Sequence, residues 1–83
     1  MMIIKDFLNK LKWDKLLNAK DYQVYYSDRR INKTVEIPFT AIKKIEKNFM
    51  VIEKDLHDVD IPLHRIKEVR KRGKLVWARN VAP

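Results

Sequence analysis

The chain has 83 residues, 46% apolar and 36% charged, with a formal net charge of +8, a size that makes one domain around one core and leaves no room for a second. It holds no cysteine, which excludes disulfides and thiolate zinc sites. No apolar run nears the roughly 18 residues of a membrane span, so a cytoplasmic protein with no membrane association is expected.

Ile3, Ile4, Phe7, Leu8 and Leu11 recur on one helical face, with Lys5, Asp6, Asn9, Lys10 and Lys12 on the others. The spacing predicts an amphipathic helix of about ten residues ending near Trp13-Asp14, with Trp13 in the core. Tyr22, Val24 and Tyr26 then alternate with Gln23, Tyr25 and Ser27, the pattern of a strand. A turn over residues 28–33 returns the chain into a second strand over 34–37. Two hairpins are expected, residues 42–46 with 49–53 around Lys47-Asn48, and residues 66–71 with 74–78 around Arg72-Gly73, whose glycine accommodates positive φ. Residues 54–58 read as a connecting loop. These elements predict an α+β fold, residues 1–83 as a single domain, with an N-terminal helix on a curved, mostly antiparallel sheet of six or seven short strands, open to partial closure as a small barrel.

Residues 35–47, Val-Glu-Ile-Pro-Phe-Thr-Ala-Ile-Lys-Lys-Ile-Glu-Lys, return 24 positions later as residues 59–71, Val-Asp-Ile-Pro-Leu-His-Arg-Ile-Lys-Glu-Val-Arg-Lys. Proline removes a ladder donor, so each Ile-Pro ends a strand, and residues 39–41 and 63–65 read as matching tight or 3₁₀ turns. The shared positions are framework. Thr40-Ala41 against His64-Arg65 is the difference that adds chemistry.

Charge points to the partner. Residues 59–83 carry +5 of the total +8, and a concentrated positive field favours polyanions, nucleic acid first among them, although a basic face also serves solubility alone. Arg65 offers a planar fork for two phosphate oxygens and His64 one further donor. Asp28 is placed to orient Arg29 as a second cationic contact. Trp77 and Arg79 lie two apart on one strand face, where an indole suits base stacking and a guanidinium suits phosphate, while Trp77 equally suits the core. Lys67, Arg70, Lys71, Arg72 and Lys74 read as a non-specific phosphate stripe. Catalysis has little support: neither His57 nor His64 stands in the His-x-Ser/Thr pattern of two-histidine phosphoesterases, His57-Asp58 lacks further metal ligands, and there is no glycine-rich phosphate loop. No cofactor and no metal are expected.

Leu8-Asn9-x-Leu11-x-Trp13-Asp14, Tyr26-x-Asp28-Arg29, Ile61-Pro62-Leu63-His64-Arg65-Ile66 and Val76-Trp77-x-Arg79 together resemble a small archaeal uncharacterised family proposed to be an RNA cyclic group end recognition domain. The resemblance runs from Ile3 to Arg79, departing at Ala78 and over residues 54–58. It implies a role for Tyr26, Asp28, Arg29, His64, Arg65, Trp77 and Arg79, and an association with RNA repair and end-processing enzymes. The reading it favours is a non-catalytic module for RNA 3′ ends bearing a 2′,3′-cyclic phosphate, with His64 and Arg65 on the phosphate, Arg29 adding charge, and Tyr26 or Trp77 stacking the terminal base. A docking module in a ribonucleoprotein or RNA-processing complex, and an RNA-end phosphoesterase using His64, stay open beside it.

Overall fold

A helix, seven strands and three 3₁₀ turns make up the computed structural model, which describes residues 3–79. Helix α1 (Ile4–Trp13) buries Ile4, Leu8 and Leu11, carries Asp6 in its first turn and Lys10 and Lys12 in its last, and so complements its own dipole. It stops where Asp14 turns extended and accepts, through Oδ1, the Leu16 N–H at 2.9 Å. Trp13 is 75% exposed and Leu16 94%, so Trp13 does not join the core. The reason is angular: two residues beyond Leu11 lies about 200° around the helix, off the buried face.

The strands are β1 (Tyr22–Asp28), β2 (Lys33–Pro38), β3 (Ile42–Ile45), β4 (Phe49–Lys54), β5 (His57–Pro62), β6 (Ile66–Lys71) and β7 (Lys74–Ala78). They form an α+β fold, but the expected single curved sheet divides into two antiparallel sheets, ordered β2-β1-β6-β7 and β3-β4-β5, which are not closed into a barrel. Residues 54–58 are not a loop. Asp55 and Leu56 both take positive φ (52° and 67°), the two-residue turn that matches strand twist, and His57 and Asp58 lie in β5 with His57 opposite Lys54. Arg72 and Gly73 (51° and 83°) make the same kind of turn between β6 and β7.

The sequence repeat is a structural one. Both copies run strand, proline, 3₁₀ turn, strand: β2 enters the turn Phe39–Ala41 and leaves as β3 in the other sheet, and β5 enters Leu63–Arg65 and leaves as β6. Each 3₁₀ turn is therefore a corner between sheets. Phe39 and Leu63 plug the two corners, and Ile37 with Ile61 and Ile42 with Ile66 are buried in equivalent positions. The equivalence extends to the pairing irregularities. Ile42 lies opposite Ile52 and Lys44 opposite Val51, and 24 residues on, Ile66 lies opposite Tyr26 and Glu68 opposite Tyr25. β1 and β4 are thus counterparts, 26 residues apart, each flanked by one strand from each copy.

One core fills the space between the sheets and under α1, joining Leu8, Val24, Tyr26, Met50, Ile52, Ile66, Val69 and Trp77 among others. Among the described residues no helix is long and apolar enough to cross a membrane. Leu8→Ala is expected to lower unfolding stability by about 2–5 kcal/mol through reduced burial and a residual void, whereas Leu16→Ala should stay within about 0.5 kcal/mol. Urea unfolding of the two variants beside wild type checks both values, and comparable losses would contradict the helix orientation.

Candidate nucleic-acid interface

The corner Leu63–Arg65 decides where the chemistry goes. Successive side chains on a 3₁₀ turn, with three residues per turn, point about 120° apart. Leu63 accordingly enters the core, and His64 and Arg65 leave on different sides. They do not converge on one group, contrary to the expectation that both hold the same phosphate.

Arg65 lines a cavity of about 240 Å³ where β5 diverges from β1, walled by Tyr26, Ser27 and Asp28 of β1, Val59, Asp60 and Ile61 of β5, and Arg30. Two of these residues each carry a buried polar atom, Tyr26 Oη and Arg65 Nε, that has no hydrogen-bond partner among the described residues. Each such orphan costs about 1–3 kcal/mol relative to a satisfied one. Burial, followed by the neighbouring Asp28 carboxylate and opposed by Arg30, raises the Tyr26 phenol above its ordinary value, which keeps it a protonated donor at neutral pH. Both atoms are donors, so what each lacks is an acceptor oxygen.

Asp28 is 6% exposed at the end of β1. Its Oδ1 accepts the Arg30 N–H at 2.9 Å, the short-range turn in which an Asp side chain caps the backbone two residues on, and its Oδ2 stands 3.6 Å from Arg30 Nη2. Asp28 therefore orients Arg30 and not Arg29, which is exposed and lines neither this cavity nor the groove described next. The Arg30 N–H first, then its side chain, and then Lys54 hold the Asp28 carboxyl below the ordinary value of 3.8 against the opposing effect of burial.

His64 is exposed and lines a second, more open groove of about 380 Å³ together with Lys5, Lys47, Asn48 and Arg79. Arg79 is tied down: it donates from Nε to the Ile66 carbonyl at 3.0 Å and from Nη2 to the Leu63 carbonyl at 2.9 Å. Its guanidinium also stands 5.6 Å from the Trp77 ring centroid. Arg79 thus clamps β7 to the corner.

Neither aromatic proposed for stacking presents a free face. Tyr26 is 1% exposed and Trp77 8%, both in the core, because inward positions of β1 and the Val69–Trp77 pair of β6 and β7 face the helix-covered interior. The basic stripe is also interrupted. Arg70 pairs with Glu68 at 3.2 Å and Arg72 with Asp21 at 3.2 Å, Lys71 stands 5.8 Å from the Tyr22 ring centroid, and Lys67 and Lys74 are exposed. Among the described residues no cluster of His, Asp or Glu is arranged to hold a metal.

Sequence reasoning missed Arg30, Asp60, Lys5, Lys47 and Asn48. Arg30 carried a signal, since an Asp at a turn commonly caps the residue two positions on. Asp60 stands on the strand that enters the corner, whereas Lys5, Lys47 and Asn48 meet it only through the tertiary fold.

A family model described as the MJ1316 RNA cyclic group end recognition domain matches residues 1–79. A UPF0248 protein of Metallosphaera sedula is 35% identical over 78 residues, 94% of each chain. A UPF0248 protein of Saccharolobus solfataricus is 32% identical over 81 residues, covering 94% of this chain and 98% of its own. No solved structure matches the chain.

The lowered Asp28 carboxyl has a consequence for stability. A group whose folded value lies below its unfolded one stabilises the fold above the unfolded value, 3.8, and that contribution is lost as pH falls through the folded value. Asp28→Asn is therefore expected to unfold at lower urea than wild type at neutral pH, with the gap shrinking once pH drops below 3.8. A gap constant with pH, or none at neutral pH, would contradict the assigned electrostatics.

Proposed function

The chain belongs to the family of the MJ1316 RNA cyclic group end recognition domain, and from that premise we propose that it is a non-catalytic RNA-binding module for 3′ ends carrying a 2′,3′-cyclic phosphate, serving RNA repair or end-processing enzymes. The observation that supports this reading is a cavity lined by Tyr26 and Arg65, each of which also carries a buried donor, Oη and Nε, without a hydrogen-bond partner among the described residues. A phosphoryl oxygen is an acceptor of the kind these donors lack, and Arg65 and Arg30 supply the charge.

The charge balance of the cavity favours the cyclic ester. Arg30 and Arg65 are set against Asp28 and Asp60 in the same wall, so a monoanion is accommodated while a second negative charge meets carboxylates. A linear terminal phosphate carries about −1.5 to −2 at neutral pH; a cyclic phosphodiester carries one charge and no free 2′-hydroxyl. Discrimination rests on this repulsion as much as on attraction. With Tyr26 and Trp77 buried, recognition passes through phosphate and ribose, and the terminal base contributes little.

The test is a titration of RNAs identical except for a 3′ hydroxyl, linear phosphate or cyclic phosphate, at two salt concentrations, with the products analysed. The cyclic end should bind most tightly, irrespective of the terminal base and without turnover. Arg65→Ala should weaken it by about tenfold to a hundredfold and abolish the preference, as should placing Thr-Ala at positions 64–65, whereas Lys71→Ala should weaken all three ends alike. Equal affinities for the three ends would overturn the reading, and product that disappears in His64→Ala would make the protein an enzyme instead.

A further inference from the structure

On the far side of the corner the structure holds a concave cluster of cations that the end-recognition cavity does not use. The groove of about 380 Å³ between the first turn of α1 and the β3–β4 turn is lined by Lys5, Lys47, His64 and Arg79, with no carboxylate among the described residues that line it. That composition contrasts with the cavity beside it, where two arginines face two aspartates. Elsewhere Arg30, Lys43, Arg70 and Arg72 each pair with a carboxylate. The side chains of Lys5, Lys47 and His64 make no hydrogen bond or ion pair with another described residue.

These side chains come from three separate elements, two of which, the corner and the β3–β4 turn, are joined by a backbone hydrogen bond. Leu63 donates its N–H to the Asn48 carbonyl at 2.9 Å, joining the corner to the β3–β4 turn, and Arg79 ties the Leu63 and Ile66 carbonyls. Like charges gathered on a fixed concave surface repel one another and raise the local concentration of an anion. Ile3, Ile4 and Leu63 add an apolar wall, and the Asn48 amide a neutral hydrogen-bonding group. A phosphodiester with its ribose matches this mixture of charge, amide and apolar surface.

We infer that this groove is a second phosphate site, which takes a phosphodiester of the same RNA strand, upstream of the end seated in the Tyr26–Arg65 cavity. The inference rests on the RNA reading of that cavity. His64 and Arg65 are neighbours on the Leu63–Arg65 corner, so a strand that crosses the corner passes from one opening to the other. The corner then divides the labour: Arg65 reads the chemistry of the end, and His64, Lys5 and Lys47 hold the backbone leading to it.

The test compares a short RNA ending in cyclic phosphate, the same RNA ending in linear phosphate, and a nucleoside 2′,3′-cyclic monophosphate, which has no upstream phosphodiester. In the double variant Lys5→Ala, Lys47→Ala, and in Lys47→Glu alone, affinity for both RNAs should fall by the same factor, about tenfold. The dependence of log affinity on log salt should flatten by about 0.7 for each phosphate no longer neutralised, and binding of the mononucleotide should not change. Lys15→Ala with Lys20→Ala, which removes the same charge from exposed positions outside both sites, should weaken the RNAs much less. The inference is overturned if RNA affinity survives in the groove variants, if the remote pair costs as much, or if the mononucleotide weakens in step. Failure of the end-recognition reading would look different, as equal affinity of wild type for cyclic and linear ends whatever the groove variants do.

Discussion

Each proline that closes an Ile-Pro pair withdraws a backbone donor from its strand, and the rest of the architecture depends on what the chain does next. At both sites it buries one apolar side chain, Phe39 or Leu63, makes a single 3₁₀ turn, and resumes as a strand of the opposite sheet with Ile42 or Ile66 buried at its start. The two corners thereby stitch the sheets together from opposite directions. They give β1 and β4 their central places, since each is flanked by one strand from each copy of the repeat. A side chain too small to plug a corner would leave a void in the core where the chain crosses from one sheet to the other.

On that near-symmetric frame the chemistry is one-sided. Where the half containing the Leu63–Arg65 corner has Tyr26, Asp28 and Arg65, the counterpart positions by register are Ile52, Lys54 and Ala41. An apolar residue in place of the phenol and alanine in place of the guanidinium leave no orphaned polar atom at the other corner. Asymmetry of function has come from changing side chains at equivalent places without altering the backbone that presents them.

Much of this was legible in the chain itself. Periodicity located α1 and the strands, the repeat located both corners, and glycine marked the Arg72-Gly73 turn. Local signals failed where a side chain's direction depends on distant partners. Trp77 reads equally as platform or core until pairing with β6 sets it opposite Val69 in the core, and Trp13 sits close enough to an apolar stripe to be counted into it although it lies outside the buried arc. The adjacent His64 and Arg65 look like one site on paper and part company on a 3₁₀ turn. Lys5 and Lys47 are distant in sequence from His64 and carry no mark of the groove they help to line. The division of the strands between two sheets is likewise a long-range outcome, set by the pairing of β1 with β6.

That pairing places Tyr22 opposite Lys71, across more than half of the described chain, whereas each hairpin closes over a few residues. Bringing together such remote segments carries the larger loop-closure entropy, and contacts of this separation are the ones that slow folding. Tyr26 and Asp28 ride on β1, while Arg65 sits at the head of β6, so the cavity has no existence in a chain whose hairpins have formed but whose β1 and β6 have not met. Any ligand that binds there acts as a clasp on this long-range closure and stabilises the entire fold by mass action.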